Sequence, residues 1–527
     1  MTGSRRRAGL LLPLFACPSR ASWGIGDIGD IASITSWLAA AGQRVLQLLP
    51  LTEMAPGQQS PYSAISAMAI DPIYINLPAV LDFSALGGEA AMSAGDRSEL
   101  AAVRAAPRIE HHRVRRLKRT ALAAAFDRFV DAEWTPNTDR ARGLKAFVAD
   151  QAWWVEPYSL FRAIHASLGE RPWTEWPEAL QRLDPAALDA ARRGLARDVL
   201  FFQYVQWLAA TEWQDARRRA CEHARKVELF GDLPFMVDGD SADVWARQRQ
   251  FRFDVSVGAP PDAFSADGQD WGVPLYDWDA IEADGFQWLR ERARRNADLY
   301  DGYRIDHLVG FYRTYGRPRH GGPGFFTPAD QSGQVTLGER VLGVFRSAGA
   351  EVVAEDLGTV PDAVRASLAR LGVPGFRVLR WEREWHTDGW PFRDPADYPS
   401  TSVATSGTHD TEPLMDWWEG ASDDERRKVS VLPTVQRLSA GVDLADGDSA
   451  AVRDVLLEAL LASGSDLVVL PVQDVFGWRD RINVPATIDD RNWTFRLPWP
   501  VDELDEIPEA RERRDRLRAW SEKHGRR

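Results

Sequence analysis

The stretch Glu351-Val352-Val353-Ala354-Glu355-Asp356-Leu357-Gly358 carries a short apolar run that stops at two acids and a glycine. The run is continuous rather than alternating, the pattern of a strand buried on both faces of a sheet. The same pattern recurs at 9–15, 44–51, 227–235, 300–307, 376–381, 401–410 and 466–474. Stretches with a helical look lie between most of these runs, as at 29–42, 279–297 and 361–371. Strands alternating with helices imply a parallel sheet, and eight such runs predict an α/β fold, a closed (β/α)8 TIM barrel. An open doubly wound sheet is the alternative, but no glycine-rich phosphate loop follows an early strand.

One interval is too long for a crossover. Residues 81–226 are rich in Ala, Arg and Glu, and show apolar residues at helical spacing over 185–196 and 199–219. They read as a large helical insertion after the second strand, a cap beside the cleft. The expected organisation is therefore 1–80 as the first part of the barrel, 81–226 as the insertion, 227–500 as the remaining barrel with its loops, and 501–527 as a charged helix. No long β-rich segment follows the last run, so no C-terminal β domain is expected.

With 44% hydrophobic and 27% charged residues, the 527-residue chain has material for a large core. Its net charge of −13 argues against nucleic acid or an anionic membrane as partner, because both demand a basic face. Trp (22) outnumbers Tyr (10). Indole stacks on the C–H faces of sugar rings, although core packing is the plainer reading for any single Trp. Cys17 and Cys221 form neither a disulfide framework nor a zinc pattern, and fit a reducing compartment. Arg5-Arg6-Arg7 followed by an apolar stretch and Cys17 has the outline of a lipoprotein signal. That stretch is short and contains Pro13, so 10–15 is expected to be a buried first strand instead. No segment approaches the length of a membrane span. His111-His112-Arg113 with Arg115 and Arg116 is expected to be a solvated helix face, and Asp238 and Asp240 lack the spacing of a calcium loop.

In such a barrel the functional groups sit at the C-terminal ends of the strands. Three runs end in acids in distinct settings: Tyr303-Arg304-Ile305-Asp306-His307, Ala354-Glu355-Asp356-Leu357-Gly358 and Gly407-Thr408-His409-Asp410. A lone acid at a strand end is usually a helix cap, but three in series, two beside Arg or His, point to chemistry. Cleavage of a glycosidic bond with retention needs one carboxylate to attack and one carboxyl to donate a proton. Arg304 and Asp306 lie two apart, so in a strand their side chains share a face, and the guanidinium is expected to favour the ionised nucleophile. Glu355 on the next strand is the expected acid/base, its proton held by neighbouring negative charge. Asp410 is expected to bind sugar hydroxyls and favour the distorted, oxocarbenium-like ring.

Further stretches extend the pattern: Trp23-Gly24-Ile25-Gly26-Asp27, Leu46-Gln47-Leu48-Leu49-Pro50-Leu51, Ser60-Pro61-Tyr62-Ser63, Gly231-Asp232-Leu233-Pro234-Phe235, Gly268-Gln269-Asp270-Trp271-Gly272, Pro471-Val472-Gln473-Asp474 and Asn492-Trp493. Together with the three acidic stretches they resemble, in family order and over most of the chain, the amylomaltases, the 4-α-glucanotransferases of glycoside hydrolase family 77. The resemblance implies Asp306 as nucleophile, Glu355 as acid/base and Asp410 as transition-state stabiliser. It implies substrate contacts from Tyr62, Ser60, Asp232, Trp271, Arg304, His307, His409, Trp381, Gln269 and Asn483. It further implies a (β/α)8 barrel without a C-terminal β domain, α-1,4-glucans and maltooligosaccharides as donor and acceptor, no organic cofactor or metal, and a cytoplasmic setting.

The chain departs from the family at Ala263, where some members offer a sugar-contacting Tyr, and at Thr411-Glu412-Pro413, where the family typically has Asn-Asp-Thr. It departs also over 311–336, which is rich in Gly, Pro and Arg, and at Arg481-Ile482-Asn483-Val484-Pro485-Ala486-Thr487. All four lie where glucan would be gripped and bear on chain length and on transfer against hydrolysis. Two other readings stand beside transfer: an α-glucan hydrolase or altered transglycosylase of the same clan, and a non-catalytic glycan-binding barrel.

Overall fold

Parallel strands buried on both faces have no polar side to show, and the eight apolar runs become such strands: Arg7–Leu11 (β1), Val45–Gln47 (β2), Glu228–Leu233 (β3), Gly302–Ile305 (β6), Glu351–Ala354 (β9), Gly375–Val378 (β10), Ser402–Thr405 (β11) and Leu467–Pro471 (β12). The computed structural model describes residues 6–526 except 224–225, 262–267, 440, 443, 445–448, 486 and 488. The strands pair in the order β1-β12-β11-β10-β9-β6-β3-β2 and close into a barrel, all neighbours parallel. Closure runs through Arg7↔Leu467 and Gly9↔Val45. Gly9 is demanded by that approach, since a β-carbon there would lie 2.1 Å from the Val45 carbonyl oxygen. The first strand starts and ends earlier than the expected 10–15, because Pro13 has no amide to give the ladder and Leu14–Ala16 turn into a 3-10 helix.

Between β2 and β3 the described residues hold helices and no strand, among them Ala94–Ala105, His111–Phe129, Ala152–Ser167 and Ala196–Glu222. Ala196–Glu222 buries Phe202, Val205, Ala209, Trp213, Ala216 and Ala220, a stripe at steps of three and four that marks a helix with one apolar face. After β12 the described residues carry only helices and loops, ending in the helix Pro508–Lys523. No helix among the described residues is long and apolar enough to cross a membrane.

Two further expectations need correction. The stretch 279–297 is two helices, Trp278–Ala283 and Gln287–Leu299, separated by Gly285 and Phe286 at φ of 62° and 60°. That left-handed pair ends the first helix in the way a glycine C-cap does. Within the Gly/Pro/Arg-rich departure at 311–336, Phe311 and Tyr312 are buried in a helical turn and Thr314–Pro318 (β7) and Phe325–Thr327 (β8) form a hairpin. With Phe251–Ala259 (β4) and Gln269–Tyr276 (β5) that hairpin makes a separate antiparallel sheet, ordered β5-β4-β7-β8, from the segments that follow β3 and β6. The helix face at 111–116 is only partly solvated. His111 is buried against the Trp493 carbonyl at 2.9 Å, and Arg115 forms a bidentate pair with the buried Asp71 at 2.8 Å.

Candidate active site

The C-terminal ends of β6, β9 and β11 bring Asp306, Glu355 and Asp410 to the wall of one open cleft of about 1480 Å³. Tyr62, Trp271, Arg304, His307 and Trp381 line it with them. The structure does not put Ser60, Asp232, Gln269, His409 or Asn483 on that wall. Each instead holds a residue that is there. Ser60 Oγ accepts from the Tyr62 amide at 3.3 Å, and Gln269 Oε1 accepts from Trp271 Nε1 at 3.0 Å. Ala263 lies outside the described residues, as does Ala486.

Arg304 organises the β3–β6 side. The alternation of β6 puts Arg304 and Asp306 on one face, and Nη2 donates to Asp306 Oδ1 at 2.6 Å. Nη1 donates at 2.6 Å to Asp232 Oδ2, which also accepts from the Tyr62 hydroxyl at 2.7 Å. Burial works against the guanidinium, but Asp232 and Asp306 hold its pKa well above its ordinary value, so it remains a cation. Burial pushes Asp232 up to about 6 even with Arg304 opposing. His307 follows Asp306 with a left-handed φ of 43°, a conformation a non-glycine residue rarely adopts and that is common at functional sites. Its ring meets Trp271 edge-on at 5.1 Å, and burial lowers its pKa.

Glu355 and Asp356 separate cleanly. Asp356 is an anchor for β10, taking the Phe376 amide at 2.7 Å and pairing with Arg365 at 3.2 Å. Glu355 receives the amides of His307 at 2.9 Å and Leu357 at 3.0 Å. Its pKa is pushed up to about 7, chiefly by burial, with Arg304 opposing and Asp306 adding to the rise. Neighbouring negative charge, the cause expected from sequence, is thus the lesser one.

Asp410 is the opposite case. Burial would raise it, but His409 at 3.3 Å and Asn483 Nδ2 at 2.7 Å hold it well below the usual carboxylate range. Burial opposes His409 ionising while Asp410 favours it, and the net pKa is raised. His409 stacks on Tyr62 at 5.3 Å, and Trp493 packs on both rings at 5.8 and 5.7 Å. Trp493, itself at a φ of 63°, was visible in sequence only as part of Asn492-Trp493. Arg481, visible in sequence only as part of the 481–487 departure, donates from Nη2 to the Asp410 carbonyl at 2.8 Å. At the departure Thr411-Glu412-Pro413, Glu412 pairs with the buried Arg380 at 3.2 Å. Asp240 accepts from the Trp173 amide at 2.9 Å, a contact with the helical insertion, and Asp238 accepts from the Asp240 amide at 2.9 Å in a local turn. Among the described residues, no group of His, Cys, Asp or Glu is arranged to hold a metal.

The cleft therefore holds, past the ends of three strands, a carboxyl whose pKa is raised to about 7, one held well below the usual range, and one clamped by arginine. The sequence model of the family described as 4-alpha-glucanotransferase, glycoside hydrolase family 77, matches residues 12–502. This chain belongs to that family. It is similar to the 4-alpha-glucanotransferase of Chlamydia pneumoniae, at 31% identity covering 96% of this chain and 94% of the relative. The enzyme of that name from Synechocystis is 32% identical over 93% of this chain and 94% of its own length. In fold it matches the amylomaltase of Streptococcus agalactiae, solved with acarbose, at a TM-score of 0.82 and 24% identity, covering 99% of each chain.

Proposed function

We propose that the protein moves α-1,4-glucan segments between maltooligosaccharides by double displacement. Asp306 attacks the anomeric carbon while Glu355 gives its proton to the leaving glycosidic oxygen, and a glucanyl ester forms on Asp306. Glu355, now a carboxylate, takes the proton from the 4-hydroxyl of an acceptor sugar, which displaces Asp306 and restores both groups. Asp410 supports the positive charge that develops on the ring, and Arg304 orients the nucleophile. The observation that carries this reading is three carboxyls in different settings within one cleft: Glu355 raised to about 7, Asp410 held low, and Asp306 hydrogen-bonded by Arg304 at 2.6 Å. Cys17, buried, and Cys221, exposed, are both unpaired, which suits a cytoplasmic setting.

Transfer prevails over hydrolysis when a bound acceptor hydroxyl outcompetes water, which positioning can achieve. Incubation with maltotriose tests it. Glucose together with oligosaccharides longer than maltotriose is the expected outcome; glucose and maltose alone would replace transfer by hydrolysis.

A further inference from the structure

Trp385 and Trp390 take no part in the carboxylate machinery, yet they are 57% and 58% exposed. Large aromatics normally take burial, so a pair left at the surface marks a place where something docks. Their rings are neighbours, with centroids 6.0 Å apart and planes inclined by 53°. The segment that carries them is braced. The Glu384 amide donates to the Pro391 carbonyl at 2.9 Å, the Trp390 amide to Thr387 at 3.0 Å, and Lys428 Nζ to the Gly389 carbonyl at 2.6 Å. Arg383 lies 3.9 Å over the Phe392 ring while pairing with Glu425. Trp390 itself is held at a left-handed φ of 46°, a conformation the surrounding contacts must impose on so large a residue.

Trp385 adjoins the reaction site on a definite side, with Trp390 packed beside it. Trp385 shares the cleft wall with Trp381, just beyond β10, and β10 pairs with β9, whose end carries Glu355. The acid/base serves first the leaving oxygen and then the incoming hydroxyl, so its side of the cleft is where leaving and accepting glucan lie. An α-1,4-glucan is a coil whose successive rings tilt relative to one another. Two inclined indoles present faces to two such rings, whereas a flat β-1,4-linked chain would need coplanar ones.

We propose that Trp385 and Trp390 form an acceptor platform that stacks on rings beyond the reacting one, so that longer α-1,4-glucans are better acceptors than glucose. The proposal rests on the transfer reading above. Its test uses the full-length protein with 4-nitrophenyl maltoheptaoside as donor and either glucose or maltotriose as acceptor. The ratio of acceptor efficiency, maltotriose over glucose, is expected to fall about tenfold in Trp385→Ala/Trp390→Ala, equivalent to about 1.4 kcal/mol, and to be largely kept in Trp385→Phe/Trp390→Phe. An unchanged ratio in the alanine variant, with its melting temperature intact, overturns the platform. A second arm needs no turnover: maltoheptaose is titrated into Asp306→Asn protein with and without the two alanines. Affinity is expected to drop about tenfold, while cellohexaose shows no difference between the two; equal maltoheptaose affinities overturn the platform. If the wild type yields no transfer product, the transfer reading fails and the titration still decides the platform.

Discussion

Glu355 is where desolvation bears most directly on the proposed reaction. It rises from an ordinary 4.5 to about 7, mainly because it is buried. A carboxyl whose folded-state pKa is raised adds its full stability below 4.5 and loses it as pH climbs through the folded value. The loss across that window, at about 1.4 kcal/mol per unit of pKa, is roughly 3 kcal/mol. Glu355→Gln keeps the shape and removes the titration. The variant is therefore expected to match the wild type in stability at pH 4 and to exceed it by about 3 kcal/mol at pH 8, measured by urea denaturation at the two pH values. Turnover should move the other way, falling by roughly 10²–10⁴-fold, the usual contribution of a general acid. In the wild type, formation of the glucanyl-enzyme should decline above about pH 7, reaching roughly a hundredth two units higher. A stability gap between variant and wild type that is the same at pH 4 and pH 8 would refute the burial argument. A donor-cleavage rate flat to pH 9 would remove Glu355 from the acid role.

Asp306→Asn should lower turnover by roughly 10³-fold or more while leaving oligosaccharide affinity largely intact, as read by titration with maltotriose; wild-type turnover would displace the nucleophile assignment. Asn483→Ala removes the 2.7 Å hydrogen bond to Asp410 Oδ1. A bond to a charged group is worth about 1.5–3 kcal/mol, so kcat should fall at least tenfold with KM little changed, and a change confined to KM would mean that Asn483 holds substrate and not Asp410.

The parts of the molecule that sequence exposes are those whose physics is local. β12 is buried along its whole length, and so reads as an unbroken apolar run. Arg304 and Asp306 meet because a strand repeats every two residues, a relation visible before any folding. The sheet of β4, β5, β7 and β8 is hidden for equally physical reasons. β4 pairs with β5 through register shifts at Arg252/Ser256 and Ser256/Gly258, β5 contains Pro274, and β7 ends on Pro318. Breaks of that kind argue against strands in a local reading. The split of 278–299 at Gly285 is similar, since a glycine inside a helical pattern is tolerated as often as it caps.

The barrel, its eight strands and the three acids at their ends are legible along the chain, because buried parallel strands and strand-end carboxylates leave a pattern there. The surroundings of those acids are set by folding alone. Barrel closure desolvates Glu355 and so raises its pKa to about 7, brings Asn483 to Asp410 from 73 residues away, and seats Trp493 under Tyr62 and His409. Desolvation and charge act through space, and no spacing along the chain encodes them.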